Sequence, residues 1–232
     1  MPIPNAPPLT SEEVAALNDR LAREHPINAY YDDSPWVVRW IEGRRLDIIR
    51  DMVNARPGLR ILEVGSGGGH VLRMFRDAKL TAVDVSEVFL DTARKNLAGY
   101  EVEFFKGEIE KLVLPEKSFD RIICTEVLEH TTDPRPVLAE ICRLLRPDGH
   151  AVITVPVDPL IDGLKKVVRY SPVGWALGNR INWGGDHYHF HKWWPWQFVR
   201  LLERDFTVVE KRASPFDALP LRVCFKCRPA RR

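Results

Sequence analysis

From residue 59 onward the chain alternates two kinds of apolar pattern. LRILEV (59 to 64), KLTAVDV (79 to 85), VEFFKG (102 to 107), FDRIICTE (119 to 126) and GHAVITVP (149 to 156) are short, nearly continuous apolar runs. They read as strands buried on both faces. Between them, GHVLRMFRD (69 to 77), SEVFLDTARKNLA (86 to 98) and DPRPVLAEICRLLRP (133 to 147) space their apolar residues as helices do. Ser86 is the predicted N-cap of the second, with Glu87 in its first turn, and Asp133 and Pro134 open the third. Strand and helix in alternation, joined by short connections, predict a parallel sheet with helices on both faces.

The rhythm stops after Pro156. Residues 157 to 192 supply no strand pattern, but PLIDGLKKVVRY has apolar positions at 160, 161, 164, 167 and 168, the spacing of a short helix. FVRLLERD (198 to 205) then reads as a last helix, and FTVVEKR and LRVCFKC as a closing hairpin at a sheet edge. Upstream, 10 to 24 and 36 to 54 are helical, joined by NAYYDDSPW. The expected organisation is a helical N-terminal cap at 1–57, then one α/β domain at 58–232 with a lid insertion at 157–192.

Composition adds limits. The 232 residues are 45% hydrophobic, enough for one sizeable core. No run of about 18 apolar residues is present and the proline-rich start has no signal-like apolar segment, so a soluble, cytoplasmic protein is expected. The four cysteines fit a reducing compartment. Cys224 and Cys227 form a lone CxxC, which on a strand directs the two thiols to opposite faces and argues against a metal pair. The net charge of +2 conceals a split: residues 1 to 150 carry 20 basic and 25 acidic side chains, residues 151 to 232 carry 14 and 7. The C-terminal part is thus the expected face for an anionic partner, if it is more than a solvated surface.

The turn ILEVGSGGGHVL (61 to 72) holds four glycines in five positions after the first strand. Bare amides at that place suit a ligand at the carboxyl end of the sheet. A dinucleotide fingerprint would put its third glycine at His70, and Glu63 would repel a pyrophosphate, so NAD is disfavoured and a cationic ligand favoured.

In these motifs, together with AVDVS, KGEIEKLVLPEKSFDRIICTEVLEH and LLRPDGHAVITVP, residues 59 to 156 resemble the class I S-adenosylmethionine-dependent methyltransferases, especially the small-molecule and quinone O-methyltransferases. The resemblance implies a Rossmann-like doubly wound sheet of seven strands, order 3-2-1-4-5-7-6, the last antiparallel. It implies S-adenosyl-L-methionine as cofactor and S-adenosyl-L-homocysteine as product. Glu63, Gly65, Gly67 and Gly69 would form the loop around the methionine part, Asp84 would hold the ribose hydroxyls and Val85 would pack on adenine, with Ser66, Ile109 and Thr125 as further cofactor-binding residues. Glu108 stands where the family commonly has an aspartate near the adenine amino group. Tyr30 is assigned to the carboxylate end.

Methyl transfer needs alignment and exclusion of water more than covalent machinery. TEVLEH (125 to 130) puts Glu126, Glu129 and His130 at i, i+3 and i+4, able to orient an acceptor, take a proton or hold a divalent ion, or merely to support the pocket. A metal is not favoured. In GGDHYHFHKWW (184 to 194), His187, His189 and His191 would share one side of an extended segment, with Tyr188 and Phe190 toward the core. The catalytic candidates are His187, His130 and Glu126. Five tryptophans between 170 and 198, next to LKKVVRY, suit either an ordinary lid or peripheral membrane contact through 157–192. The expected acceptor is a small or lipid-like molecule methylated on oxygen or nitrogen; the alternatives are a protein or peptide side chain, or a catalytically silent module. Nucleic acid is not an expected partner, since no stacking motif accompanies the basic tail and CTEV replaces the N-P-P-Y type signature.

Overall fold

The computed structural model describes residues 11–24, 27–28, 34–171 and 189–230. Two helices come first, α1 (Ser11–Glu24) and α2 (Trp36–Val53). They are followed by β1 (Arg60–Val64), β2 (Lys79–Asp84), α3 (Glu87–Asn96), β3 (Val102–Lys106), β4 (Phe119–Thr125), α4 (Pro134–Leu144) and β5 (Leu145–Pro156). The chain ends with α5 (Asp158–Arg169), α6 (Pro195–Leu202), β6 (Phe206–Phe216) and β7 (Leu219–Pro229).

The strands form one sheet in the order β3-β2-β1-β4-β5-β7-β6, as the resemblance implied. The first five run parallel, and β7 lies antiparallel between β5 and β6. Each face carries its own apolar cluster. Ile61, Leu80, Ala82, Ile123 and Val152 point with Cys224 toward α2 and α3, while Leu62, Ile122, Ile153 and Phe225 point with Cys227 toward α4 and α6. Cys224 and Cys227 therefore belong to opposite faces, as alternation on a strand requires. The helix starts also follow the sequence. Ser86 accepts the Phe89 amide and Asp133 accepts the Arg135 amide, each relieving an orphan donor of a first turn.

Two boundaries differ from the reading. Residues 69 to 77 do not form a helix. Only a 3-10 turn at Leu72–Met74 appears, with Met74 and Phe75 donating to carbonyls three residues back. Nine residues between the glycine turn and β2 leave no room to extend a nucleus. Helix α4 ends at Leu144 and β5 begins at Leu145, earlier than residue 149, because Pro147 disfavours helical angles at Arg146.

Candidate active site

Beyond β1 the chain turns away at the glycines, and their crowding answers why side chains are left out there. Gly65 sits at φ 70°, and a Cβ on it would lie 2.2 Å from Val127 Cγ2. Gly69, at φ 75°, would place one 2.8 Å from Leu97 Cδ1. At Gly68 the obstacle is Ile27 Cγ2, also at 2.8 Å. So three of the four are small because the chain itself packs against them, a correction to the view that a ligand accounts for all the bareness. Gly67 does face the cavity, and its N–H donates to Asp84 Oδ2 at 2.8 Å.

The cavity has a volume of about 960 Å³. Glu63, Gly65, Ser66, Gly67, Asp84, Val85, Glu108, Ile109 and Thr125 all line it, whereas Gly69 stands behind the loop. Tyr30 lies outside the described residues. Two carboxyls dominate the inner end. Asp84 accepts the Gly67 and Ser86 amides, yet burial still pushes its pKa up to about 6. Glu63 is 1% exposed, its Oε2 has no partner, and burial raises it well above the carboxylate range even though Arg45 pulls the other way. Such a group gains free energy from any donor brought to it. Glu108, at the end of β3, accepts from Lys111 at 2.8 Å.

The cations of the cavity were not foreseen. Arg45 is buried on α2 and donates through Nε to Glu42 Oε2 at 2.9 Å. The other Glu42 oxygen meets Arg222 of β7 at 3.1 Å, and Arg222 Nε reaches Glu126 Oε2 at 2.9 Å. Thr154 completes the chain by donating to Glu126 Oε1 at 2.8 Å. The one trace of this in the sequence is that Glu42, Arg45, Ile49 and Met52 share a helical face, so two charges interrupt an apolar stripe. Arg222 has no such signal, since only the hairpin brings it across 96 positions to Glu126.

Glu126 and Glu129 do not converge as equals. Burial disfavours ionisation of both, but Arg222, Arg45 and Thr154 hold Glu126 below its ordinary value. Glu129 is pushed well above it, by burial and then by the Glu126 charge. Ionisation is thus favoured at Glu126 and disfavoured at Glu129. Both Glu129 oxygens are buried without a partner. Among the described residues, ligand atoms of Glu129, His130 and His189 lie within 4.8 Å of one another, a spacing that could hold a hydrogen-bonded ligand or a cation between them, and Glu126 is not of that group.

His187 lies outside the described residues. Of the other two histidines in that segment, His189 turns inward, its Nδ1 2.8 Å from Asp158 Oδ2, while His191 stays at the surface against Trp193. Phe190, expected toward the core, is 51% exposed at the cavity wall because its amide and that of His191 are both tied to the Glu129 carbonyl. The outer cavity is completed by Val38 of α2, Ile161, Leu164 and Lys165 of α5, and Leu221 of β7.

With this geometry, residues 62–153 match the model of a methyltransferase domain family. The fold is that of the class I S-adenosylmethionine-dependent methyltransferases. A ubiquinone biosynthesis O-methyltransferase of Alkalilimnicola ehrlichii is 36% identical over 115 residues, 47% of this chain and 47% of that protein. The chain spans about half the length of the curated relatives it matches. Among solved structures, the N-methyltransferase NodS of Bradyrhizobium japonicum, in complex with S-adenosyl-L-homocysteine, superposes with a TM-score of 0.66 at 18% identity over 94% of this chain and 99% of that one. The [4+2]-cyclase SpnF superposes with a TM-score of 0.70 at 15% identity over 97% and 98%. A methyltransferase fold thus also carries a cyclase, so the site must decide the reaction. No helix among the described residues is long and apolar enough to cross a membrane.

Proposed function

We propose that the protein transfers a methyl group from S-adenosyl-L-methionine to oxygen or nitrogen of a small or lipid-like acceptor. The observation that carries this reading is the set of charged groups along the cavity: an orphaned acid at Glu63, a buried carboxyl at Asp84, and a buried guanidinium at Arg45 of α2. Those groups fit the cofactor. Glu63 suits its ammonium, Arg45 its carboxylate and Asp84 its ribose diol, and Val85, Phe89 and Ile109 offer an apolar slot for the adenine. When bound, the cofactor supplies a methyl group activated on a sulfonium. The chain contributes alignment and a dry, low-dielectric setting.

The outer end favours a greasy acceptor. Helix α5 lends Ile161 and Leu164 to the wall, and its continuation leaves Val167 and Tyr170 in solvent beside Lys166 and Arg169. An apolar stripe edged with cations suits contact with a lipid surface. The O-methyltransferase named above, whose name places it in ubiquinone biosynthesis, supports the same class of acceptor.

The test has two stages. Titration calorimetry with S-adenosyl-L-homocysteine and with NAD should give heat with the first alone. Label from methyl-tritiated cofactor should then pass into the organic phase when a lipid extract or a panel of alkylphenols is offered. Binding without any transfer to these acceptors or to protein would leave a silent module and end the proposal.

A further inference from the structure

The reading above leaves open how an acceptor loses its proton. The structure assigns that step to His189, held by Asp158, with Glu129 as the hydrogen-bonding partner of the acceptor. The inference rests on the methyltransferase reading and commits it to a hydroxyl acceptor, because a hydroxyl must give up a proton to become a strong nucleophile.

Three observations point the same way. First, His189 and Asp158 form a pair 2.8 Å apart whose side chains are only 9% and 6% exposed, and both line the cavity. A carboxylate oxygen accepts, so Nδ1 carries the hydrogen, and the tautomer this selects for the neutral ring has its lone pair on Nε2. Second, the ring is positioned from the backbone. The Phe190 and His191 amides reach the Glu129 carbonyl at 2.8 and 3.3 Å, which pins the strand-like segment to the 3-10 turn at Leu128–His130. The His130 ring stands edge-on at 4.7 Å. Third, the other acids are unsuited to the task. Glu126 is spent on Arg222 and Thr154, and both buried Glu129 oxygens still need hydrogen-bonding partners, which the acceptor hydroxyl supplies. Further charged side chains lining the cavity are Lys165 and Asp162 of α5, Asp133 before α4 and Arg222 of β7, with Asp162 paired to Lys192.

The step balances. The acceptor O–H bond breaks and its proton passes to His189 Nε2. The oxygen forms the new bond to carbon as the carbon–sulfur bond breaks, and that electron pair stays on sulfur as a thioether. The imidazolium rests against Asp158 until solvent takes the proton. Asp158 is a positioning residue, since it acts through the ring.

The test uses the full chain with S-adenosyl-L-homocysteine and the chromophore 4-nitrocatechol, about one pH unit below the ionisation of the free probe. Bound to the wild type, the probe should absorb as its phenolate. His189→Gln should lower the phenolate fraction at least about fivefold while homocysteine-cofactor affinity stays within about twofold. Asp158→Asn should give a smaller loss, and Asp158→Glu should recover most of it. Cofactor-type binding, followed separately, reports whether each variant is folded. A phenolate band that survives His189→Gln overturns the proposal, and so does a band that vanishes with EDTA, which would assign proton loss to a cation among Glu129, His130 and His189. No probe binding at millimolar concentration, with cofactor affinity intact, refutes a hydroxyl-acceptor site and leaves the methyltransferase reading standing.

Discussion

Replacing Asp84 with asparagine tests the electrostatics of the inner cavity most directly. Burial raises this carboxyl from its ordinary 3.8 to about 6. A shift of roughly two units corresponds to about 3 kcal/mol between protonation states. The sign follows from proton binding. The folded protein holds the proton more tightly than the unfolded chain, so the contribution is fully present below pH 3.8 and lost as pH rises through about 6. Asparagine cannot titrate. It will also lose one of the two amide bonds from Gly67 and Ser86, at about 1–3 kcal/mol, but that loss is the same at every pH. Urea unfolding followed by circular dichroism from pH 4 to pH 7, without cofactor, should therefore show the variant gaining about 3 kcal/mol on the wild type across the range. Affinity for S-adenosyl-L-homocysteine should meanwhile fall by about a hundredfold or more, as two charge-assisted bonds to the ribose are removed. Parallel stability curves, or undiminished affinity, would refute the argument.

Four further outcomes are expected. Arg45→Gln should weaken S-adenosyl-L-homocysteine by at least about tenfold and leave methylthioadenosine, which lacks the carboxylate, nearly unaffected in calorimetry. Gly65→Ala should lower stability by about 2–5 kcal/mol in thermal melts, from left-handed backbone and the Val127 clash, with part regained in the double variant that adds Val127→Ala. Arg222→Met leaves Glu126 without its cation. The loss, about 2 kcal/mol at neutral pH, should shrink as pH falls through the carboxylate range, because a lowered acid stabilises only where it is ionised; a loss constant with pH would contradict this. Ellman's reagent should react with at most one thiol of the native protein, since burial pushes Cys224 and Cys227 up to about 12 and Cys124 higher still; rapid reaction of more would show an open core.

The sheet was legible because every central strand is covered on both faces and so shows an uninterrupted apolar run between turn residues. The two misplaced boundaries lie where periodicity carries no information about space: the segment after the glycines has helical spacing but not the length, and Arg146 loses its helical angles only through Pro147. At the site, Glu63 and Asp84 could be found because strand ends deliver them directly to the ligand side. Arg222 could not, since its partners Glu42 and Glu126 lie far away in the chain, and Arg45 left only the trace of an interrupted apolar stripe on α2. His189 shows a third case. Alternation grouped His189 with His191, but the fold sets His189 against Asp158 of α5 and leaves His191 at the surface beside Trp193, and no local rule anticipates that difference.

The salt link from α2 through Arg222 to the β4 turn has a consequence for how this enzyme could diverge. Four of the acids that line the cavity, Glu63, Asp84, Glu126 and Glu129, fall inside the matched 62–153 stretch, while the two guanidiniums, Arg45 and Arg222, come from outside it together with Glu42 and Asp158. A fragment trimmed to the recognisable motifs would keep Glu126 and forfeit the two guanidiniums that favour its ionised form. Donor chemistry is therefore inherited with the central motifs, whereas the flanks decide whether that chemistry can be housed at all and which acceptor it meets.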